Sequence, residues 1–126
     1  MAYLLDTDVI INQLRGKEFI KKAYTDSAKI SIITLGELLY GAHKSPSYEK
    51  TQKLMHEFLH DFEIEVLNLD EDTIRVFAQI KSSLERKGER LEDFDLLIAA
   101  AALRHSLPLI TKNLRHFKRI PGLRTA

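Results

Sequence analysis

Tyr3-Leu4-Leu5-Asp6-Thr7-Asp8-Val9-Ile10-Ile11 is the stretch that decides the fold. Tyr3, Leu4 and Leu5 form a continuous apolar run, the pattern of a short strand buried on both faces of a parallel sheet. Asp6 stands at the carboxyl end of that strand, where open α/β sheets gather their ligands. Thr7 or Asp8 caps a helix carrying Val9, Ile10, Ile11 and Leu14. A strand that stops on an acid and turns at once into a helix implies further strand–helix units.

The rest of the chain supplies them. Gly16 stops the first helix, and Phe19, Ile20, Ala23 and Tyr24 suggest a short second one. Residues 29–33 read as a strand, followed by Thr34-Leu35-Gly36-Glu37, the S/T-x-x-E pattern of a capping box. A helix from Leu35 carries Leu38, Leu39 and Ala42 until Ser45-Pro46-Ser47 breaks it. Leu54, Phe58, Leu59 and Phe62 mark another helix before a strand over residues 63–69. Asp70 caps the longest helix, with Ile74, Phe77, Ala78, Ile80 and Leu84 on its apolar face, ending at Gly88. An acidic loop with Glu89, Glu92, Asp93 and Asp95 opens into a helix over 96–103 that is apolar nearly all round and therefore buried. Residues 107–110 return as a strand, Thr111-Lys112-Asn113 follow it, and the remainder reads as a turn and a last edge strand. The alternation predicts a single three-layer α/β/α domain over residues 1–126 with a mostly parallel central sheet.

Composition narrows the function classes. At 126 residues the chain can bury a core without covalent staples. It has no cysteine, which excludes disulfides, thiolate metal sites and thiol catalysis. No apolar run reaches the roughly 18 residues of a membrane span, and no leader-like segment opens the chain, so a cytoplasmic protein without membrane association is expected. The net charge of +1 conceals an asymmetry: residues 96–126 carry +6 and residues 1–95 carry −5. A basic segment beside an acidic centre suits an enzyme acting on a polyanion.

Parallel strands point their carboxyl ends to one edge of the sheet. Asp6 after the first strand, Glu37 soon after the second and Asp95 at the start of the buried helix can therefore share one cleft, with Asp93 nearby. Carboxylates that close repel one another unless some are protonated or share a cation. Hard oxygen donors favour Mg²⁺ or Mn²⁺, ions that activate water for attack on phosphorus. Lys112, Arg115, Lys118 and Arg119, just past the last strand, can hold a nucleic-acid backbone by its phosphates. Each acid also has a local role open to it: Asp6 and Asp8 as helix caps, Glu37 as the third member of a capping box, Asp95 as the cap of the alanine-rich helix.

Four segments in order carry a family resemblance: Leu4-Leu5-Asp6-Thr7-Asp8, Thr34-Leu35-Gly36-Glu37-Leu38-Leu39-Tyr40-Gly41-Ala42, Asp95-Leu96-Leu97-Ile98-Ala99-Ala100, and Thr111-Lys112-Asn113-Leu114-Arg115-His116-Phe117 with Ile120-Pro121-Gly122-Leu123. Together they resemble a PIN domain, specifically a VapC-type toxin ribonuclease of a type II toxin–antitoxin system. The resemblance implies a metal-dependent endoribonuclease with Asp6, Glu37 and Asp95 as its principal acids and metal ligands, Asp93 and Asn113 as auxiliaries, and Mg²⁺ or Mn²⁺ as cofactor. Many PIN domains have a fourth acid where this chain has Asn113. Asp8, where the family often has asparagine, partly restores that charge. The resemblance further implies structured cellular RNA as substrate, such as tRNA or rRNA cut at loops that can splay open. It also implies a homodimer and a cognate antitoxin laid in a groove formed by Ile10, Ile11, Leu14, Leu38, Leu39 and Tyr40. Two other readings stand beside it. One is a non-catalytic PIN-fold module that binds RNA or protein. The other is a phosphatase of the haloacid-dehalogenase type using Asp6 and Asp8, although Ile10 stands where that family needs threonine or valine.

Overall fold

A computed structural model of the chain describes residues 1–126. The elements run β1 (Tyr3–Leu5), α1 (Thr7–Leu14), α2 (Lys22–Thr25), β2 (Ala28–Ser31), α3 (Ile32–Lys44), α4 (Tyr48–Asp61), β3 (Glu65–Leu67), α5 (Glu71–Arg86), α6 (Asp93–Arg104), β4 (Leu109–Ile110) and α7 (Leu114–Phe117). The strands form one sheet in the order β3-β2-β1-β4, and every pairing is parallel.

Successive strand residues face opposite sides of a sheet, and here both sides are dry. Leu4 of β1 and Leu109 of β4 pack with Ile80, Leu84, Leu96 and the alanines of α6. Leu5 and Ile110, the next residues along, pack on the other side with Val9, Ile10, Leu38, Met55 and Phe58. Helices α5 and α6 thus make one outer layer, and α1, α3 and α4 the other. This is why the apolar run in β1 does not alternate: it is a central strand covered on both faces. The chain steps outward from β1 to β2 to β3, then returns to place β4 on the far side of β1. That reversal opens a crevice between the carboxyl ends of β1 and β4.

The structure moves several sequence-based boundaries. Helix α3 begins at Ile32, with Ser31 as its cap: the Ser31 hydroxyl accepts from the Ile33 amide at 3.0 Å. Thr34 is therefore inside the helix, and the capping-box reading of Thr34 and Glu37 is wrong. Helix α6 starts three residues before Leu96, at Asp93, with Glu92 at the cap, so Asp95 is not a cap either. Asp70 does cap α5, accepting from the Thr73 amide at 2.8 Å, and Gly88 ends the turn beyond it with a φ of +71° that suits glycine. In α4 the buried face holds Met55 and Phe58, while Leu54 lies about 100° away around the helix and is exposed. In α5 the inward face is Thr73, Ile80 and Leu84, which leaves Ile74 outside. No helix is long and apolar enough to cross a membrane.

Candidate active site

Asp6 lies at the crevice between β1 and β4 and is 6% exposed. Both its carboxylate oxygens are held: Oδ1 accepts from the Thr7 amide at 2.9 Å and Oδ2 from the Thr111 hydroxyl at 2.7 Å. Asp6, not Thr7 or Asp8, is thus the N-cap of α1, because the helix begins directly after it at Thr7, and Asp6 is also one wall of a charged cleft. Thr111 follows β4, so the bond ties together the two strand ends that flank the crevice. Asp8, on the first turn of α1, accepts weakly from the Lys112 amide at 3.3 Å.

Glu37 reaches the same cleft from α3. Its Oε1 accepts from the Thr7 hydroxyl at 2.5 Å, and the Thr7 and Thr34 hydroxyls lie 3.2 Å apart. Thr34 and Glu37 are three residues apart and so share one face of α3, and both meet Thr7 of α1. Asp95 enters from the first turn of α6, where the helix dipole favours a negative charge.

The acids sense one another. The carboxyl of Asp6 is raised to about 7, first by burial and then by the charge of Asp8, with Asp95 adding to it; its two hydrogen bonds oppose the rise but do not cancel it. Asp95 is raised by burial and next by Glu37, against which the nearby His116 works. Burial also raises Asp8. None of Asp6, Asp8, Glu37 and Asp95 is ion-paired with a basic side chain, whereas Glu18, Glu65, Glu71 and Asp93 each have one.

Other expected residues fall differently. Asp93 points away to Lys81, 2.8 Å off across the α5–α6 junction, and stands outside the cluster. The amide nitrogen of Asn113 meets His116 Nδ1 at 2.8 Å. His116, whose charge acts on Asp95, was quoted in the sequence reading but given no site role, because a helix as short as α7 gives no periodicity from which to place its side chains. Among the basic residues, Lys112 pairs with Glu18 and Arg119 donates to the Arg90 carbonyl at 3.5 Å; Arg115 and Lys118 are exposed.

No three acidic or histidine side chains converge on a single ion-sized point. The donor chemistry nevertheless fits a hard divalent cation: the cleft offers carboxylate oxygens, no sulfur, and acids whose ionisation is suppressed by burial and by one another. A cation would reverse that suppression.

A groove of about 940 Å³ runs away from Glu37 between α1, α3 and α4. Ile11, Leu14, Leu38 and Tyr40 line it, together with Arg15, Leu54 and Phe94, which the sequence reading did not include. Two expected groove residues are elsewhere. Ile10 is fully buried in the core because it faces the sheet from α1, and Leu39 packs against that same core from α3.

The sequence matches the PIN domain family model over residues 3–123. It is 37% identical to the tRNA(fMet)-specific endonuclease VapC of Salmonella typhimurium over 98% of this chain and 96% of that protein. Ribonuclease VapC2 of Haemophilus influenzae is 32% identical over 99% of this chain and 96% of its own length. Among solved structures, the DNA-bound VapBC of Salmonella typhimurium superposes with a TM-score of 0.90 at 34% identity, covering 100% of this chain and 97% of that one. VapBC2 of Rickettsia felis bound to a promoter fragment gives 0.89 at 29% identity, covering 100% and 98%.

Proposed function

The chain belongs to the PIN domain family, and we propose that it is an endoribonuclease toxin of the VapC type, neutralised by a VapB-type antitoxin. The observation that carries the reading is the cleft of Asp6, Asp8, Glu37 and Asp95, unpaired with any basic side chain, in a chain 37% identical to a named tRNA endonuclease. Keeping these acids together opposes stability, so the cluster has a use outside folding. Family membership leaves no room for the phosphatase alternative.

Asp6, Glu37 and Asp95, with Asp8 beside them, would hold Mg²⁺ or Mn²⁺. A divalent cation there supplies positive charge to phosphoryl oxygens and lowers the pKa of water. The protein's own part is placement. Thr7 and Thr111 fix both oxygens of Asp6, and the α6 dipole favours ionised Asp95. Arg115 and Lys118 give phosphate contacts that position RNA without reading its sequence. The apolar groove ending at Glu37 suits a helical antitoxin segment, and self-association as a homodimer accompanies this reading.

Purified protein should cut total cellular RNA into discrete fragments with Mg²⁺ or Mn²⁺. Cleavage should stop in EDTA and fall at least about 100-fold in Asp95→Asn. RNA left intact by wild type with either ion, in a preparation shown by mass spectrometry to be free of antitoxin, would contradict the proposal and favour a non-catalytic binding module.

A further inference from the structure

We propose that Thr7 is a positioning residue that locks Asp6 and Glu37 into one arrangement, with Thr34 fixing Thr7 from behind. The inference rests on the reading of Asp6 and Glu37 as ligands for a divalent cation.

Thr7 touches both acids with different groups. Its backbone amide donates to Asp6 Oδ1 at 2.9 Å, and its hydroxyl lies 2.5 Å from Glu37 Oε1. A threonine hydroxyl has one proton to give, and an ionised glutamate can only accept. The proton therefore goes to Glu37, and the 3.2 Å contact between the two threonine hydroxyls has to run from Thr34 to Thr7. Thr34 is fully buried, and Thr7 is the partner of its hydroxyl. The result is a directed chain, Thr34 to Thr7 to Glu37, anchored in the core of α3 and ending on an acid of the cleft.

Geometry explains why such a chain matters. Glu37 is half-buried on a flexible side chain with three rotatable bonds, in contrast to the short, doubly held Asp6. Without a donor on Oε1, the Glu37 carboxylate is free to swing toward the groove, which it also lines. Asp6 and Glu37 come from separate elements, 31 positions apart in the chain. Thr7 is the residue bonded to both. Groups that orient a ligand from behind typically contribute about 10–100-fold to metal affinity.

The test is Mn²⁺ titration of the metal-stripped full chain by calorimetry, with melting temperature in EDTA recorded in parallel. Thr7→Val keeps the branched shape and should weaken Mn²⁺ binding about 10–100-fold. Thr7→Ser restores the hydroxyl and should recover most of that loss. Thr34→Val should give a smaller loss. In the double variant Thr7→Val with Thr34→Val no buried hydroxyl is left without its partner, so its melting temperature should rise above that of Thr7→Val while its Mn²⁺ affinity stays low. Affinity that recovers together with melting temperature would make the role merely structural and overturn the proposal. So would wild-type affinity in Thr7→Val or, should that variant not fold, in Thr34→Val. Glu37→Gln separates the two levels of the argument. If it loses Mn²⁺ while Thr7→Val does not, positioning by Thr7 fails and the ligand reading stands. If Glu37→Gln binds Mn²⁺ like wild type, Glu37 is not a ligand and the proposal falls with it.

Discussion

Asp6 sets two demands against each other. Its hydrogen bonds from Thr7 and Thr111 favour the carboxylate, yet burial and Asp8 raise it to about 7 from an ordinary value of 3.8. Because the folded state holds the proton more tightly than the unfolded chain, this group stabilises the fold below about pH 4, and the contribution is lost as pH rises through about 7. The full difference corresponds to roughly 4 kcal/mol, an upper bound for a single site. Asn fits the same space and keeps an acceptor for the Thr7 amide, but cannot titrate. In EDTA, Asp6→Asn should therefore be more stable than wild type at pH 8, with the gap narrowing toward pH 4. Urea unfolding at several pH values measures it. A gap independent of pH would mean that Asp6 is ionised throughout. Asp8 and Asp95 are coupled to Asp6 by charge and lose that coupling in the variant, so the gap measures the ionisation of Asp6 together with its repulsion from those two acids.

Elements bring the acids together, and here the sequence was partly legible. The strand ending at Asp6, the cap at Asp70 and the buried alanine-rich helix were readable because apolar runs, capping residues and glycine stops are local signals. The start of α3 was not. Ser31 and Thr34 both precede an apolar helical pattern, and only the tertiary contact between Thr34 and Thr7 decides which of them lies inside the helix. That choice changes the meaning of Glu37 from a capping partner to a cleft acid. Ser31→Ala should then cost about 1 kcal/mol, the ordinary loss for a missing cap, in chemical denaturation. An unaffected midpoint would return the cap to Thr34. Asp93 shows the opposite limit: two acids in one loop look alike in sequence, and only their directions from α6, Asp93 toward Lys81 and Asp95 toward Glu37, distinguish them.

Across the whole molecule, the acidic cleft and the apolar groove meet at Glu37, so any chain seated in the groove ends beside the acids. The sequence pattern found two of the groove's helices, α1 and α3, but not α4 and not the full membership. Ile10 and Ile11 were both candidates, and only their directions from α1 relative to the sheet separate a core residue from a lining one. Tyr40 is the side chain best placed to judge what the groove binds, being 64% exposed with Lys44 Nζ 5.1 Å from its ring centre. Large aromatic side chains at the centre of an interface commonly account for about 2 kcal/mol or more of binding. A glutamate there adds an unpaired charge to a surface that a helix would desolvate. Because Tyr40 packs on so little of its own protein, Tyr40→Glu should leave the melting temperature within about 2 °C of wild type. It should weaken binding of the cognate antitoxin by at least about 30-fold in calorimetry. If affinity is unchanged while the fold is intact, the antitoxin covers some other face, and the nearness of the groove to Glu37 has no part in neutralisation.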